Sequence, residues 1–209
     1  MYVISDIHGC YDQLKELYLK IKAHSKSKDE IVCVGDYIDR GPKSEDVVEF
    51  LMERQANDSD FTWFCLAGNH EDMLLNHRGG FYMNGGMQTL ASYGVEMIED
   101  IRPDHMNWYK RLLTYYVNGN VAVAHAGILD RTECADNSKE FLLWDRSLRT
   151  YPHGIYKFTV HGHTPMKDVL INENVAYIDT GCVFGGKLTA LYIPDTISPD
   201  HNVMEILQV

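Results

Sequence analysis

The chain is short of positive charge: nineteen lysines and arginines stand against thirty aspartates and glutamates, a formal net charge of -11. A protein that grips a nucleic-acid backbone needs Lys and Arg to neutralise that polyanion, so this function class is excluded as an expectation. Proline is also scarce, with six residues against 45% hydrophobic ones, which excludes wholesale disorder and leaves enough apolar surface for a core. No apolar run is long enough to cross a bilayer, and no membrane partner is expected. The cysteines, Cys10, Cys33, Cys65, Cys134 and Cys182, include no C-x-x-C pair, so neither a disulfide framework nor a thiolate zinc site is suggested. The opening MYVISDIHGC has no basic segment followed by an apolar one and does not read as a secretion signal. A reduced, cytoplasmic protein folding as a single domain over 1–209 is the expectation.

What is present is a repeating alternation of element types. Tyr2 to Ser5 is β-prone, and Leu14, Leu17, Tyr18 and Ile21 follow at helical spacing. Ile31 to Val34 is a second strand, and Ser44 opens a second helix carrying Val47, Val48, Leu51 and Met52 on one face. Phe61 to Leu66 is a third strand. Strand, helix, strand, helix, strand predicts βαβ units and a parallel sheet in the first half. From His70 to about Leu113 the pattern reads as a helical insertion, broken at Gly79-Gly80 and again at Gly85-Gly86, with Pro103 starting its last helix. Strands return at 121–124, 158–160, 175–178, 188–193 and 203–207, predicting a second, antiparallel or mixed sheet packed near the first.

The polar residues gather where these strands end. Asp6 and His8 follow the first, Asp36, Asp39 and Arg40 the second, and Asn69, His70 and Glu71 the third. His125 and the pair His161 and His163 follow two later strands. Ligands of open parallel sheets bind at the carboxyl ends of strands, so these clusters are expected to meet in one crevice. Carboxylates, an amide oxygen and imidazoles without thiolate suit a pair of divalent ions such as Mn²⁺, Fe or Zn²⁺. Asp6 and His8, two apart on an extended chain, point the same way, and Asp36 has two oxygens with which to bridge two ions.

Two other chemistries are set aside. Gly181 to Lys187 spells G-x-x-x-x-G-K, but Leu188 stands where a Ser/Thr should meet Mg²⁺, and a strand follows where a helix is required. A turn between strands is the better reading. No cysteine has an arginine at the spacing that a thiol-based phosphatase needs.

The segments SDIHG (5–9), GDYIDRG (35–41), GNHE (68–71), HAG (125–127) and GHTP (162–165) resemble, in order, motifs of the phosphoprotein phosphatase family of metallophosphoesterases. The likeness is to the compact bacterial and phage serine/threonine protein phosphatase type and its diadenosine-tetraphosphatase relatives. NGGMQTLASYG (84–94) and DTGCVFGGKLTAL (179–191) are also similar to segments of that group, and Ser5 stands where many members have Gly. The resemblance implies an α/β fold, a β-sandwich of two mixed sheets flanked by helices, and two divalent ions, with Mn²⁺ first and Fe or Zn as alternatives. It implies that Asp6, His8 and Asp36 hold one ion, and that Asp36, Asn69, His125 and His163 hold the other. His70 becomes the general acid, oriented by Asp39, while Arg40, Asn69 and Arg146 hold phosphate, Arg146 being preferred to Arg149. His163 is preferred to His161 as the ligand.

Two ions sharing a water lower its pKa and present hydroxide for in-line attack on phosphorus, with no covalent intermediate. The leading expectation is therefore a serine/threonine protein phosphatase acting on phosphoproteins or phosphopeptides, favoured by Asp39 together with Glu71. The alternative is a hydrolase of nucleotide polyphosphates such as diadenosine tetraphosphate. A noncatalytic relative binding metal or a phosphoprotein would have lost one of these residues, and none is missing.

Overall fold

Side-chain alternation along the first strands sets up the layers of the computed structural model, which describes residues 1–26, 28–148, 154–194 and 204–209. Strands β1 (Tyr2–Ile4), β2 (Asp29–Cys33) and β3 (Phe61–Cys65) pair in parallel. Helices α1 (Tyr11–His24) and α2 (Ser44–Asn57) connect them and bury the faces that the sequence pattern marks, Leu14, Leu17, Tyr18 and Ile21 on one, Val47, Val48 and Leu51 on the other. Tyr2, Ile4, Ile31 and Cys33 pack on the helix side, whereas Val3, Val32 and Val34 project from the opposite face.

That opposite face meets a second sheet. It comprises β4 (Tyr115–Asn118), β5 (Val121–Ala124), β6 (Phe158–His161), β7 (Leu170–Asn172) and β8 (Val175–Tyr177), in the order β4-β5-β6-β8-β7. β5, β6 and β8 run parallel, and both edge strands run antiparallel to their neighbours. Val121, Val123, Phe158, Val160, Ala176 and Ile178 close on Val3, Val32 and Val34 in one apolar layer. Ala122 and Ala124 face away from it and pack with Leu142 of α7 (Lys139–Trp144). Both sheets are thus covered on both sides, which is what parallel strands with apolar residues on each face require.

Two expectations are corrected. The last strands, β9 (Thr189–Tyr192) and β10 (Glu205–Gln208), join the first sheet and not the second, giving the order β10-β9-β1-β2-β3. β9 pairs antiparallel with β1, Leu191 opposite Val3. Its neighbours alternate as β1 does, Leu191 and Ile193 into the inter-sheet layer and Ala190 toward the helices, and such a local pattern is the same whichever sheet receives it. Val203, the expected start of the last strand, lies outside the described residues. Second, Gly79 and Gly80 do not break a helix but lie inside α4 (Arg78–Met83). The break falls at His77, and Gly80 is small where Met73 of α3 (Asn69–Asn76) packs against it. α5 (Gly86–Tyr93) begins after a left-handed Gly85, and α6 (Pro103–Tyr109) begins with Pro103, both as expected. Among the described residues no helix is long and apolar enough to cross a membrane.

Phe158 is fully buried between the sheets. Phe158→Ala is expected to cost about 3–5 kcal/mol of unfolding free energy, read by urea denaturation, because the cavity lies between two sheets that cannot collapse independently.

Candidate metal centre

The loops after β1, β2, β3, β5 and β6 do converge, and Asp36 stands at the middle. Its Oδ2 lies 3.5 Å from His8 Nε2 and 3.9 Å from His70 Nε2, while its Oδ1 lies 3.5 Å from His125 Nε2. Two groups able to hold a metal ion emerge among the described residues, His8 with Asp36 and His70, and Asp36 with His125 and His163. Asp36 is common to both. Asn69 Oδ1 joins the second group, 3.1 Å from His125 Nε2 and 2.9 Å from His163 Nδ1.

The backbone presets these donors. His8 Nδ1 donates to the carbonyl of Ile38 at 2.7 Å, and His125 Nδ1 donates to that of Val34 at 3.1 Å. A carbonyl only accepts, so each imidazole carries its hydrogen on Nδ1 and turns the Nε2 lone pair into the site. The buried Asp6 Oδ2 and His163 Nε2 have no hydrogen-bond partner among the described residues. Buried polar atoms are normally paired, so these orphans mark a place that takes a further ligand. A donor set of oxygen and imidazole nitrogen, with fixed tautomers, fits divalent ions of the Mn²⁺, Fe or Zn²⁺ type.

Asp6 borders the cluster, its Oδ1 4.0 Å from His125 Nδ1. Its Oδ1 accepts the backbone N–H of His163 at 2.9 Å, and His70, not Asp6, completes the tight group with His8 and Asp36. The chain is not extended at His8, whose φ is 45°; Asp36, Asp39, Arg40 and His163 also have φ between 52° and 71°. Non-glycine residues rarely adopt this region, and each costs on the order of 1–3 kcal/mol that the surroundings must offset. Gly68 makes part of this possible: a Cβ there would overlap the Asp36 carboxylate.

His70 Nδ1 is 2.6 Å from Asp39 Oδ2, and Thr89 Oγ1 donates to Asp39 Oδ1 at 2.6 Å. Burial pushes Asp39 up to about 7. Burial, then the positive charges of Arg40 and Arg146, pushes His70 down to about 3. Arg40 is half-buried and donates to His8 Nε2 at 2.7 Å. Arg146 is exposed just beyond α7, and Arg149 lies outside the described residues. Lys139, at the start of α7, reaches Asp72 of α3 at 2.6 Å. Ala126 N–H donates to Leu142 O at 2.8 Å, so the loop carrying His125 and the helix leading to Arg146 are joined.

Three further side chains support the site, of which only Glu71 was among the expected clusters, without a role assigned to it. Glu71 accepts backbone N–H groups from Asp36, Tyr37 and Gly68 at 2.8–2.9 Å. Thr89 holds Asp39. Asp179 is buried, and its charge helps push Asp6 upward, after burial itself. Glu71 belongs to GNHE, and the other two lie in segments 84–94 and 179–191, which was the available signal. His161 stays outside the cluster, its Nδ1 on Ala124 O at 2.9 Å. The G-x-x-x-x-G-K stretch is a turn, bridged from Gly181 to Lys187, ahead of β9.

A sandwich with an oxygen- and imidazole-lined centre at its strand ends defines a metal-dependent phosphoester hydrolase. The Calcineurin-like phosphoesterase family matches residues 1–197, and the chain belongs to that family. It is 32% identical to the Bacillus subtilis bis(5'-nucleosyl)-tetraphosphatase PrpE [asymmetrical], over 92% of this chain and 90% of the relative. It is 30% identical to serine/threonine-protein phosphatase 1 of Salmonella typhimurium, over 90% and 89%. The crystal structure of the cold-active protein-tyrosine phosphatase of a Shewanella species superposes with a TM-score of 0.69 at 22% identity, covering 91% of this chain and 74% of that one.

Binding of a divalent ion at a hundred times its dissociation constant is expected to raise Tm by about 5–10 °C, read by thermal unfolding with Mn²⁺ after chelation. Burial first, and then neighbouring carboxylates, holds Asp6 and Asp36 well above the usual carboxylate range, so protons compete with the ion. The Mn²⁺-dependent increment is expected to shrink as pH falls below neutral, since ligands bind deprotonated.

Proposed function

We propose that this protein is a two-metal hydrolase of nucleotide polyphosphates that splits dinucleoside tetraphosphates asymmetrically. The observation that carries the substrate class is the 32% identity, over nine-tenths of both chains, to an asymmetrical tetraphosphatase. This reverses the order of the two substrate readings made from sequence. Phosphoprotein hydrolysis becomes the second, supported by the 30% identity to the Salmonella phosphatase.

The reading assigns Asp6, His8 and Asp36 to one ion and Asp36, Asn69, His125 and His163 to the other. When bound, the ions supply Lewis acidity and make a water acidic enough to attack phosphorus at neutral pH. The chain's own residues do the rest. Arg40, Arg146 and Asn69 hold the phosphoryl oxygens, Arg40 presenting a planar fork that matches two of them. His70 Nε2 gives a proton to the departing oxygen, and Asp39 keeps the ring oriented through Nδ1. Thr89 in turn holds Asp39 in place.

After chelation and reconstitution with Mn²⁺, turnover of diadenosine tetraphosphate is expected to exceed that of a phosphothreonine peptide. The opposite preference would make the chain a protein phosphatase, and silence on both with ions bound would leave the noncatalytic reading. His70→Asn is expected to lower kcat by about 10²–10⁴-fold on an alkyl phosphate while keeping the Mn²⁺-dependent Tm increment. A p-nitrophenyl ester, whose leaving group needs no proton, is expected to lose far less, and equal losses on both would remove His70 from the proton-transfer role.

A further inference from the structure

Beside the phosphate-binding arginine stands an aromatic ring that hydrolysis itself does not use. Phe184 is 64% exposed on the turn between β8 and β9, whereas Cys182 is buried and Val183 packs against the core. The turn is closed by its own backbone: Phe184 N–H donates to Gly181 O at 2.9 Å and Gly186 N–H to the same oxygen at 3.0 Å. Left-handed Gly181 and Gly185 bracket it, with φ of 69° and 88°. The backbone of the turn therefore presents Phe184 outward. Its centroid lies 5.3 Å from the Arg40 guanidinium carbon, and Arg40 itself is anchored by its N–H on Gly85 O at 3.2 Å. A single exposed apolar residue needs no explanation, but one fixed against the phosphate fork of a catalytic site is placed for a ligand.

We infer that Phe184 is the stacking platform for a nucleobase of the substrate, one sugar away from the phosphate that Arg40 holds. The inference rests on the nucleotide reading of the site above and names the group that distinguishes a nucleotide from other phosphate esters. A fixed ring with solvent access suits any base, because every base has a π-face, and an adjacent guanidinium adds a cation–π contribution. No specific base is selected, since stacking does not read base edges.

The test compares adenosine 5′-monophosphate with ribose 5-phosphate as competitors of glycerol 3-phosphate hydrolysis by the Mn²⁺-loaded protein. The two share sugar and phosphate, so the ratio of their inhibition constants isolates the base. The nucleotide is expected to bind about 10-fold more tightly than the sugar phosphate. Phe184→Ala is expected to bring that ratio close to one, and Phe184→Trp to preserve it. A ratio unchanged in Phe184→Ala, with both competitors weakened together, would mean that the ring only props Arg40 and would overturn the inference. A ratio near one in the unsubstituted protein would do the same. Neither competitor is a dinucleotide, so failure to cleave diadenosine tetraphosphate would count against the substrate reading alone.

Discussion

The carboxylate of Glu71 is the point on which the site's geometry depends. It is fully buried at the start of α3, and its two oxygens accept N–H groups from both ends of a junction, Asp36 and Tyr37 after β2, and Gly68 after β3. Burial pushes it up to about 7 against the pull of those three hydrogen bonds. Without an acceptor there, three buried amides would lose their partners at once, each a loss of about 1–3 kcal/mol. Glu71 therefore holds Asp36 in its left-handed conformation and seats it under the amino end of α3, where Asp36 Oδ1 accepts the His70 N–H at 3.0 Å. The central carboxylate and His70 take their positions from one buried side chain.

Around that junction the site is assembled across two sheets. Asp6, His8, Asp36 and Asn69 follow strands of the first, and His125 and His163 follow strands of the second. Among the hydrogen bonds that sew the halves together are His163 N–H to Asp6 Oδ1 and His125 Nδ1 to Val34 O. The tautomer of His125 is thus written by the opposite sheet.

Much of this was legible in the sequence. Period-two alternation and apolar helix faces located most elements, and polar clusters after strands located the donors. The allegiance of β9 was not legible, because its partner β1 lies nearly a chain length away and both sheets accept the same two-faced pattern. Nor was Thr89, whose bond to Asp39 spans fifty residues of sequence. Asp6 and His8 read as a pair on an extended chain, whereas the backbone turns at His8, whose φ is 45°. Gly79 and Gly80 read as a break because glycine is a poor helix former, but the packing of α4 on α3 outweighs that propensity.

The sewn sheets carry a further consequence. Gly162 sits where a Cβ would strike the Asp6 carboxylate and crowd Val34, so the second sheet rests against the first with no slack at that point. The separation between the donors carried by the first sheet and those carried by the second is therefore tied to the valine and phenylalanine layer beneath them. That layer acts as a spacer gauge for the chemistry, and residues remote from any ligand share in setting its tolerance.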